Sequence, residues 1–297
     1  MRVAAIFPPG PRDRYWQPFQ QANAAEWTIG LPTCAKEADA ILVFGGDGTI
    51  HRHLAQFVKL QIPLLIVPCG GGNDMARALG LRGRHDALAA WRSFCEGGNN
   101  IRGIDLGVIA PGPPVDGASA PHYFGTVGCV GLDAEVARRT NLLPRWLRRC
   151  GGYVISLLGA LPRWVPMKMN LETGGCEPGA AERRSKPAIL TAFANAPLYG
   201  GGMKIAPRAQ LDDGKLDICI IGKASKLKVL CLFPTVFFGR HLSIAEVEYF
   251  QTERLRLETG EPADVYADGE FVCRTPVEVS VARQVLRVIA PPHPVQG

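Results

Sequence analysis

Four short runs set carboxylates against glycines at spacings that could do chemistry. The first is Gly45-Gly46-Asp47-Gly48-Thr49, directly after the apolar run Ile41-Leu42-Val43-Phe44. Glycines let the backbone turn sharply and approach a ligand with no Cβ in the way. A helix expected from about Ile50 would aim its unpaired N–H groups and its dipole at the same spot, which makes an anion site. Asp47 and Thr49 are available to cap that helix. An aspartate beside phosphate needs a cation between them, so Asp47 points to a Mg²⁺-nucleotide. The plain alternative is a tight strand-to-helix turn.

The second run is Pro68 to Asp74. Gly70, Gly71 and Gly72 can wrap a ligand, and Asn73-Asp74 begins a helix that Asp74 either caps or equips with a metal ligand. In the third, Tyr199-Gly200-Gly201-Gly202-Met203-Lys204 reads as a flat wall of close approach. It is followed by Asp212-Asp213-Gly214-Lys215-Leu216-Asp217. Those carboxylates suit a hard cation with oxygen ligands or, equally, a β-turn with solvated aspartates. The fourth is Ala267-Asp268-Gly269-Glu270. A carboxylate on a tight turn can serve as a general base, although Asp-Gly is also a common hairpin turn.

Short apolar runs at Arg2–Phe7, Glu26–Leu31, Asp39–Phe44 and Pro63–Val67 read as strands. They alternate with helical stretches around Arg14–Ala25, Ile50–Leu60, Met75–Leu79 and Asp86–Cys95. This alternation predicts a doubly wound α/β domain that takes ligands outside the strands' carboxyl ends, where both glycine turns fall. After Gly107 strands dominate: Tyr123–Val127, Met167–Leu171, Ala188–Ala194, Leu216–Ile221, Glu248–Leu257, Asp264–Ala267 and Val277–Val281. Helical stretches at Leu132–Leu158, broken by Pro144, and Lys226–Gly239 interrupt them. The expected division is a nucleotide-binding domain, 1–107 with a returning strand in 284–297, and a mostly antiparallel β domain, 108–283. Pro8-Pro9-Gly10-Pro11 reads as a stiff turn, Pro111–Pro121 as a loop, and Gly174–Pro187 as a polar, basic loop without function.

The chain has 297 residues, 47% apolar and 20% charged, which is ordinary for a globular protein. A net charge of +6 suits a phosphorylated ligand or an anionic membrane, and is too weak alone to argue for nucleic acid. Nine scattered cysteines show no zinc spacing; Cys69, Cys129, Cys219 and Cys231 read as reduced core residues of a cytoplasmic protein. No signal peptide is visible, and no apolar run approaches the ~20 residues of a membrane-spanning helix.

No P-loop, G-x-G-x-x-G, H-E-x-x-H or G-x-S-x-G motif occurs. What does occur, in order, is G-G-D-G-T, P-x-G-G-G-N-D-x-A-R-x-L-G, I-D-L-G at 104–107, G-x-D-A at 131–134, Y-G-G-G-M-K-I-A-P, D-D-G-K-L-D and D-G-E. Together these resemble the diacylglycerol kinase catalytic-domain family, above all the soluble bacterial lipid kinases of the DgkB, YegS and BmrU type. Sphingosine and ceramide kinases share this domain; NAD kinases share the first turn. The resemblance covers nearly the whole chain. It implies an NAD-kinase-like α/β domain followed by a β-sandwich, with the active site in the cleft between them. It also implies ATP and Mg²⁺ as cofactors and a lipid substrate at a membrane surface.

By position, the resemblance gives Gly45, Gly46, Asp47, Gly48, Thr49, Gly70, Gly71, Gly72, Asn73 and Asp74 to the nucleotide. Asp47, Asp74 and Asp105 form a carboxylate network around catalytic Mg²⁺. Asp268 is the base that accepts the lipid hydroxyl proton, supported by Glu270. A structural Mg²⁺ falls on Asp213 with the backbone carbonyls of Gln210 and Lys215. The chain departs from the family in the nucleotide half: Gly71 stands where the family has Thr, and His51-Arg52 where it has Glu.

The expected reaction is therefore transfer of the ATP γ-phosphoryl group to a diacylglycerol-like alcohol. The alternatives are a kinase of another lipid or small alcohol, and a non-catalytic nucleotide- or lipid-binding homologue. Arg138–Trp164 and Lys226–Arg240 interleave basic residues with large apolar ones. This suits peripheral contact with the inner face of a membrane or amphipathic helices packed on the β domain. No nucleic acid is expected as a partner, and a homodimer is left open.

Overall fold

The structure, a computed structural model, describes residues 1–8, 13–112, 121–149, 151–174 and 182–291. Pro9, Gly10 and Pro11 of the first turn, residues 113–120 of the Pro/Gly/Ala loop, Cys150, residues 175–181 and residues 292–297 lie outside it. So do the side chains of residues 13, 14, 145 and 149. The chain divides into two compact units, residues 1–105 with 283–297 and residues 106–282.

The first unit runs β1 (Arg2–Ile6), α1 (Asp13–Gln21), β2 (Glu26–Ile29), β3 (Ala40–Gly45), α2 (Asp47–Leu60), β4 (Leu64–Pro68), α3 (Asp74–Ala78) and α4 (Arg84–Cys95). It ends in the first half of β5 (Ile101–Pro111). Its sheet is parallel in the order β2-β1-β3-β4, extended where Val288 pairs with Leu64. Ile41, Leu42 and Val43 of β3 are wholly buried, as a strand covered on both faces requires. Trp91 of α4, also wholly buried, ties α1 down by donating its indole N–H to the carbonyl of Phe19 at 3.0 Å. Helix α2 starts at Asp47 rather than near Ile50, because Ile50 N–H already bonds the Gly46 carbonyl at 3.2 Å.

The second unit contains β6 (His122–Phe124), β7 (Val127–Gly131), α5 (Leu132–Leu142), α6 (Arg145–Arg149), α7 (Gly152–Ala160), β8 (Met167–Gly174), β9 (Glu182–Ala194) and β10 (Leu216–Gly222). It continues through α8 (Lys226–Phe237), β11 (Val247–Thr252), β12 (Arg254–Thr259), β13 (Asp264–Ala267), β14 (Glu270–Arg274) and β15 (Val277–Ile289). Its ladders are antiparallel, in the order β14-β13-β7-β9-β8-β12-β15, with β10 between β9 and β11. Strand β10 has two buried faces. Cys219 and Ile221 face a core shared with α5, α7 and α8; Leu216, Ile218 and Ile220 face a core filled by other strands.

Several elements differ from expectation for identifiable reasons. Glu248–Leu257 is two strands, because β11 pairs with β10 whereas β12 pairs with β8. Tyr123–Val127 breaks at Gly125-Thr126, whose amides bond a side chain instead of a ladder. The 132–158 helical stretch breaks at Pro144 as expected and again at Gly151, in the left-handed region at φ 94°. Glu182–Pro187 is strand rather than loop. Its charged side chains are used across strands, with Arg184 pairing with Glu248 and lying 4.0 Å over the Phe250 ring. Cys129 and Cys219 are buried, and burial pushes the Cys219 thiol up to about 12; Cys69 is half-buried and Cys231 is exposed.

Candidate functional site

The two glycine turns of the first unit start side by side. Gly45 and Pro68 are the last registered pair of β3 and β4, and Cys69 N–H extends the ladder to the Gly45 carbonyl at 2.9 Å. Glycine is required here by the packing of one turn on the other. A Cβ on Gly70 would lie 2.7 Å from the Gly46 Cα, and one on Gly46 would lie 3.0 Å from the Gly70 Cα. A Cβ on Gly45 would lie 2.7 Å from the Thr49 Cβ. Neither ligand approach nor a tight strand-to-helix turn, the two readings of Gly45 and Gly46 in the sequence, includes this packing of turn on turn. Gly48 and Thr49 lie in the first turn of α2, Gly71 is exposed and Gly72 half-buried.

Asn73 closes the second turn. It sits in the left-handed region at φ 55°, which asparagine tolerates. Its side chain accepts from Gly70 N–H at 2.8 Å and donates to the Gly70 carbonyl at 2.9 Å. Asp74 is therefore the first residue of α3 and not its cap; it is 4% exposed and stands 3.8 Å from the Arg77 guanidinium. Asp47 does not cap its own helix. Its Oδ1 accepts the Met75 N–H at 3.1 Å, so the carboxylates of both turns converge on the start of α3. Asp105, 1% exposed on β5, accepts the Gln284 N–H at 2.6 Å. Among the described residues, no three His, Cys, Asp or Glu side chains are grouped closely enough to hold a metal ion by themselves.

In the second unit Asp268 occupies the turn between β13 and β14, with φ 50° followed by 83° at Gly269. Two successive positive φ values are the geometry of the two-residue Asp-Gly hairpin. The turn also fixes the carboxylate. Oδ2 accepts Gly125 N–H at 2.8 Å, while Oδ1 accepts Thr126 N–H at 2.8 Å and the Thr126 hydroxyl at 2.6 Å. Buried Asn195 holds the same segment, donating its backbone N–H to the Thr126 carbonyl at 2.8 Å and its Nδ2 to the Gly125 carbonyl at 3.1 Å. Sequence reasoning missed Thr126; the available signal is a hydroxyl residue inside the otherwise apolar run Phe124–Val130. Glu270, the first residue of β14, is exposed.

Asp213 forms a local turn, its Oδ1 accepting Lys215 N–H at 3.0 Å and its Oδ2 the Gln251 amide at 3.3 Å; Gln210 is exposed. Tyr199 does not line a flat wall. Its N–H and carbonyl pair with Met203, and Gly200, Gly201 and Gly202 all take positive φ, so the run is a closed loop that buries Met203. The Tyr199 hydroxyl donates to Asp133 Oδ1 at 3.1 Å. Asp133 is buried, and burial pushes its carboxyl up to about 6. It faces a small apolar cavity of about 40 Å³ lined by Tyr153, Leu157, Met203, Leu232 and Phe233. A larger cavity of about 590 Å³, near Glu135, Trp164 and Glu261–Asp264, is lined by Gly131 and Ala134 of the G-x-D-A motif and by none of the residues assigned to nucleotide, metal or catalysis.

Residues 19–109 match the diacylglycerol kinase catalytic domain, and residues 125–290 match the YegS C-terminal NAD kinase beta sandwich-like domain. The chain is 37% identical over 259 residues to a diacylglycerol kinase of Mycobacterium tuberculosis, covering 87% of this chain and 79% of that one. It is 27% identical over 292 residues to a diacylglycerol kinase of Bacillus subtilis, covering 93% and 89%. A diacylglycerol kinase structure from Bacillus anthracis shares the fold at a TM-score of 0.69 and 17% identity, covering 98% and 97%. With a beta sandwich-like domain matched over more than half its length and a 37% identical relative aligned over most of both chains, this protein belongs to the diacylglycerol kinase family of lipid kinases.

Proposed function

We propose that the chain transfers the γ-phosphoryl group of ATP, with Mg²⁺, to the hydroxyl of a diacylglycerol-like lipid. The observation that carries this reading is Asp268, whose carboxylate is fixed by three donors from Gly125 and Thr126.

Phosphoryl transfer asks little covalent chemistry of the protein; catalysis comes from positioning and from stabilising charge. In this reading Asp268 accepts the hydrogen bond of the lipid hydroxyl, aligns its oxygen for in-line attack and receives its proton as the bond to phosphorus forms. Glu270 adds negative charge beside it. The ATP phosphates are received by the amides at the start of α2 and by the 70–73 turn, where a helix N-terminus favours anions. Gly46 caps α2 with no side-chain oxygen, so no carboxylate or hydroxyl competes for those amides from the cap position.

The residues fit Mg²⁺. Asp47 and Asp74 supply two carboxylates at one helix start, and this ion is usually held by one or two carboxylates with substrate phosphates and water completing the shell. When bound, Mg²⁺ neutralises charge on the transferring group. Asp105, which accepts the Gln284 N–H, is not grouped with Asp47 and Asp74 closely enough for the three to hold an ion together, so the three-carboxylate network expected from the resemblance is not formed. The second set, Asp213 with the carbonyls of Gln210 and Lys215, offers a single carboxylate, whose two oxygens accept from Lys215 N–H and the Gln251 amide.

The test is transfer of radiolabelled γ-phosphate from ATP to diacylglycerol in mixed micelles, with Mg²⁺ varied. Labelled lipid phosphate that requires Mg²⁺ is expected. Absence of transfer to any lipid alcohol would overturn the proposal.

A further inference from the structure

Helix α5 carries small residues where it crosses β13. Ala134, Ala137 and Asn141 recur at spacings of three and four, which places them on one face of a helix. Ala134 and Ala137 are buried together with Cys129 of β7 and Tyr266 of β13. Short side chains at these positions bring the helix close to the sheet. The next residue of the stripe then arrives past the end of β13, at the turn that carries Asp268. There Asn141, in the last turn of α5, donates its Nδ2 to the Gly269 carbonyl at 2.6 Å, a contact across 128 positions.

That turn needs support from outside itself. Asp268 has a φ of 50°, and a residue with a Cβ keeps such a conformation only where its surroundings impose it. Its carboxylate is held by Gly125 and Thr126, and its N–H by the Val127 carbonyl at 3.0 Å. Those three holds all come from one side, the chain that leads into β7. Asn141 holds the far end of the two-residue turn, and it does so from a helix. Gly269, at φ 83°, is the residue there with the most backbone freedom, so its carbonyl is the group that most needs an anchor. The place of α5 is fixed by the residue before Asn141. The Thr140 hydroxyl is hydrogen-bonded at 3.0 Å to the hydroxyl of Ser156, a buried side chain of α7. One turn of α5 therefore reaches α7 and the Asp268 turn at once.

We propose that Asn141 is a positioning residue: it anchors the Asp268–Gly269 turn to α5, and Thr140 with Ser156 keeps α5 where that anchor requires it. The inference rests on the phosphoryl-transfer reading, in which Asp268 aligns the lipid hydroxyl, and Asn141 acts through the turn without touching substrate. The test variant is Asn141→Leu, which keeps the volume and removes the donor at an exposed position. Its kcat for phosphoryl transfer to diacylglycerol should fall about tenfold, because rate is lost steeply when a reacting group is misplaced. KM for ATP and the melting temperature should stay at the wild-type values, a split that general destabilisation would not produce. Hydrogen exchange, which needs no turnover, should show the amides of Asp268–Phe271 opening at least fivefold faster than in wild type. Thr140→Val should lower kcat about threefold in the wild-type background and have no further effect in Asn141→Leu, because it acts through Asn141. Asn141→Leu with wild-type kcat, or with unchanged exchange in the turn, would overturn the inference, as would additive losses in the double variant. Wild-type protein that transfers no phosphate to lipid would instead overturn the phosphoryl-transfer reading, and the exchange comparison would still decide whether Asn141 holds the turn.

Discussion

Thr126 donates both its backbone amide and its hydroxyl to one oxygen of Asp268, at 2.8 and 2.6 Å. The two residues are 142 positions apart, and the contact decides which way the proposed acceptor points. Thr126→Val keeps the shape and the amide but deletes the hydroxyl. Hydrogen bonds to charged groups contribute about 1.5–3 kcal/mol. The expected outcome is a kcat lowered about tenfold, equivalent to ~1.4 kcal/mol, with KM for ATP unchanged. Steady-state kinetics of the variant checks it. A Thr126→Ser variant, which restores the hydroxyl, should recover most of the rate.

The glycine turns give a prediction confined to the first unit. Gly70→Ala places a Cβ 2.7 Å from the Gly46 backbone and 2.9 Å from Asn73 Oδ1. Overpacking of this kind costs about 1–3 kcal/mol. The two turns must separate, and the Asp47 contact with Met75 N–H goes with them. Calorimetry should show ATP binding weakened at least fivefold.

Asp133 predicts a pH dependence of stability. An unfolded aspartate titrates near pH 4, whereas burial pushes this one up to about 6. Between those values the folded chain holds the proton more tightly than the unfolded chain, so stability contributed by this group falls as pH rises from about 4 to about 6. The gap corresponds to roughly 3 kcal/mol. Asp133→Asn cannot ionise and still offers an oxygen to the Tyr199 hydroxyl. Its stability relative to wild type should therefore improve by about that amount between pH 4 and pH 7, measured by urea unfolding at each pH. A constant difference across the range would contradict the assignment.

What the sequence reveals depends on how local the cause is. Asp47, Asp74 and Asp268 are legible because glycine-flanked carboxylates after apolar runs are a short-range pattern. The parallel sheet of the first unit is legible because strands buried on both faces read as unbroken apolar runs. Thr126 is not legible, because its partner lies far along the chain. Nor is the work done by Gly46 and Gly70, since only packing one turn on the other shows that each excludes a Cβ at the other. Glu182–Pro187 is misread as loop because its charges are satisfied across strands, by Glu172 and Glu248, which local polarity does not disclose. Tyr199-Gly200-Gly201-Gly202 suggests a ligand wall by composition. Its direction is set by Asp133, 66 residues earlier.

The central claim is that Asp268 orients and accepts from the lipid hydroxyl, and the most direct measurement is kcat of Asp268→Asn against wild type. The assay uses ATP and diacylglycerol in mixed micelles, with ATP affinity measured separately by calorimetry. Removing a positioned proton acceptor costs about 10²–10⁴-fold in rate. The expected result is a kcat at least a hundredfold lower with ATP affinity close to wild type; the melting temperature falls modestly, because the amide nitrogen that replaces Oδ2 cannot accept the Gly125 N–H. A variant that turns over at the wild-type rate would contradict the account.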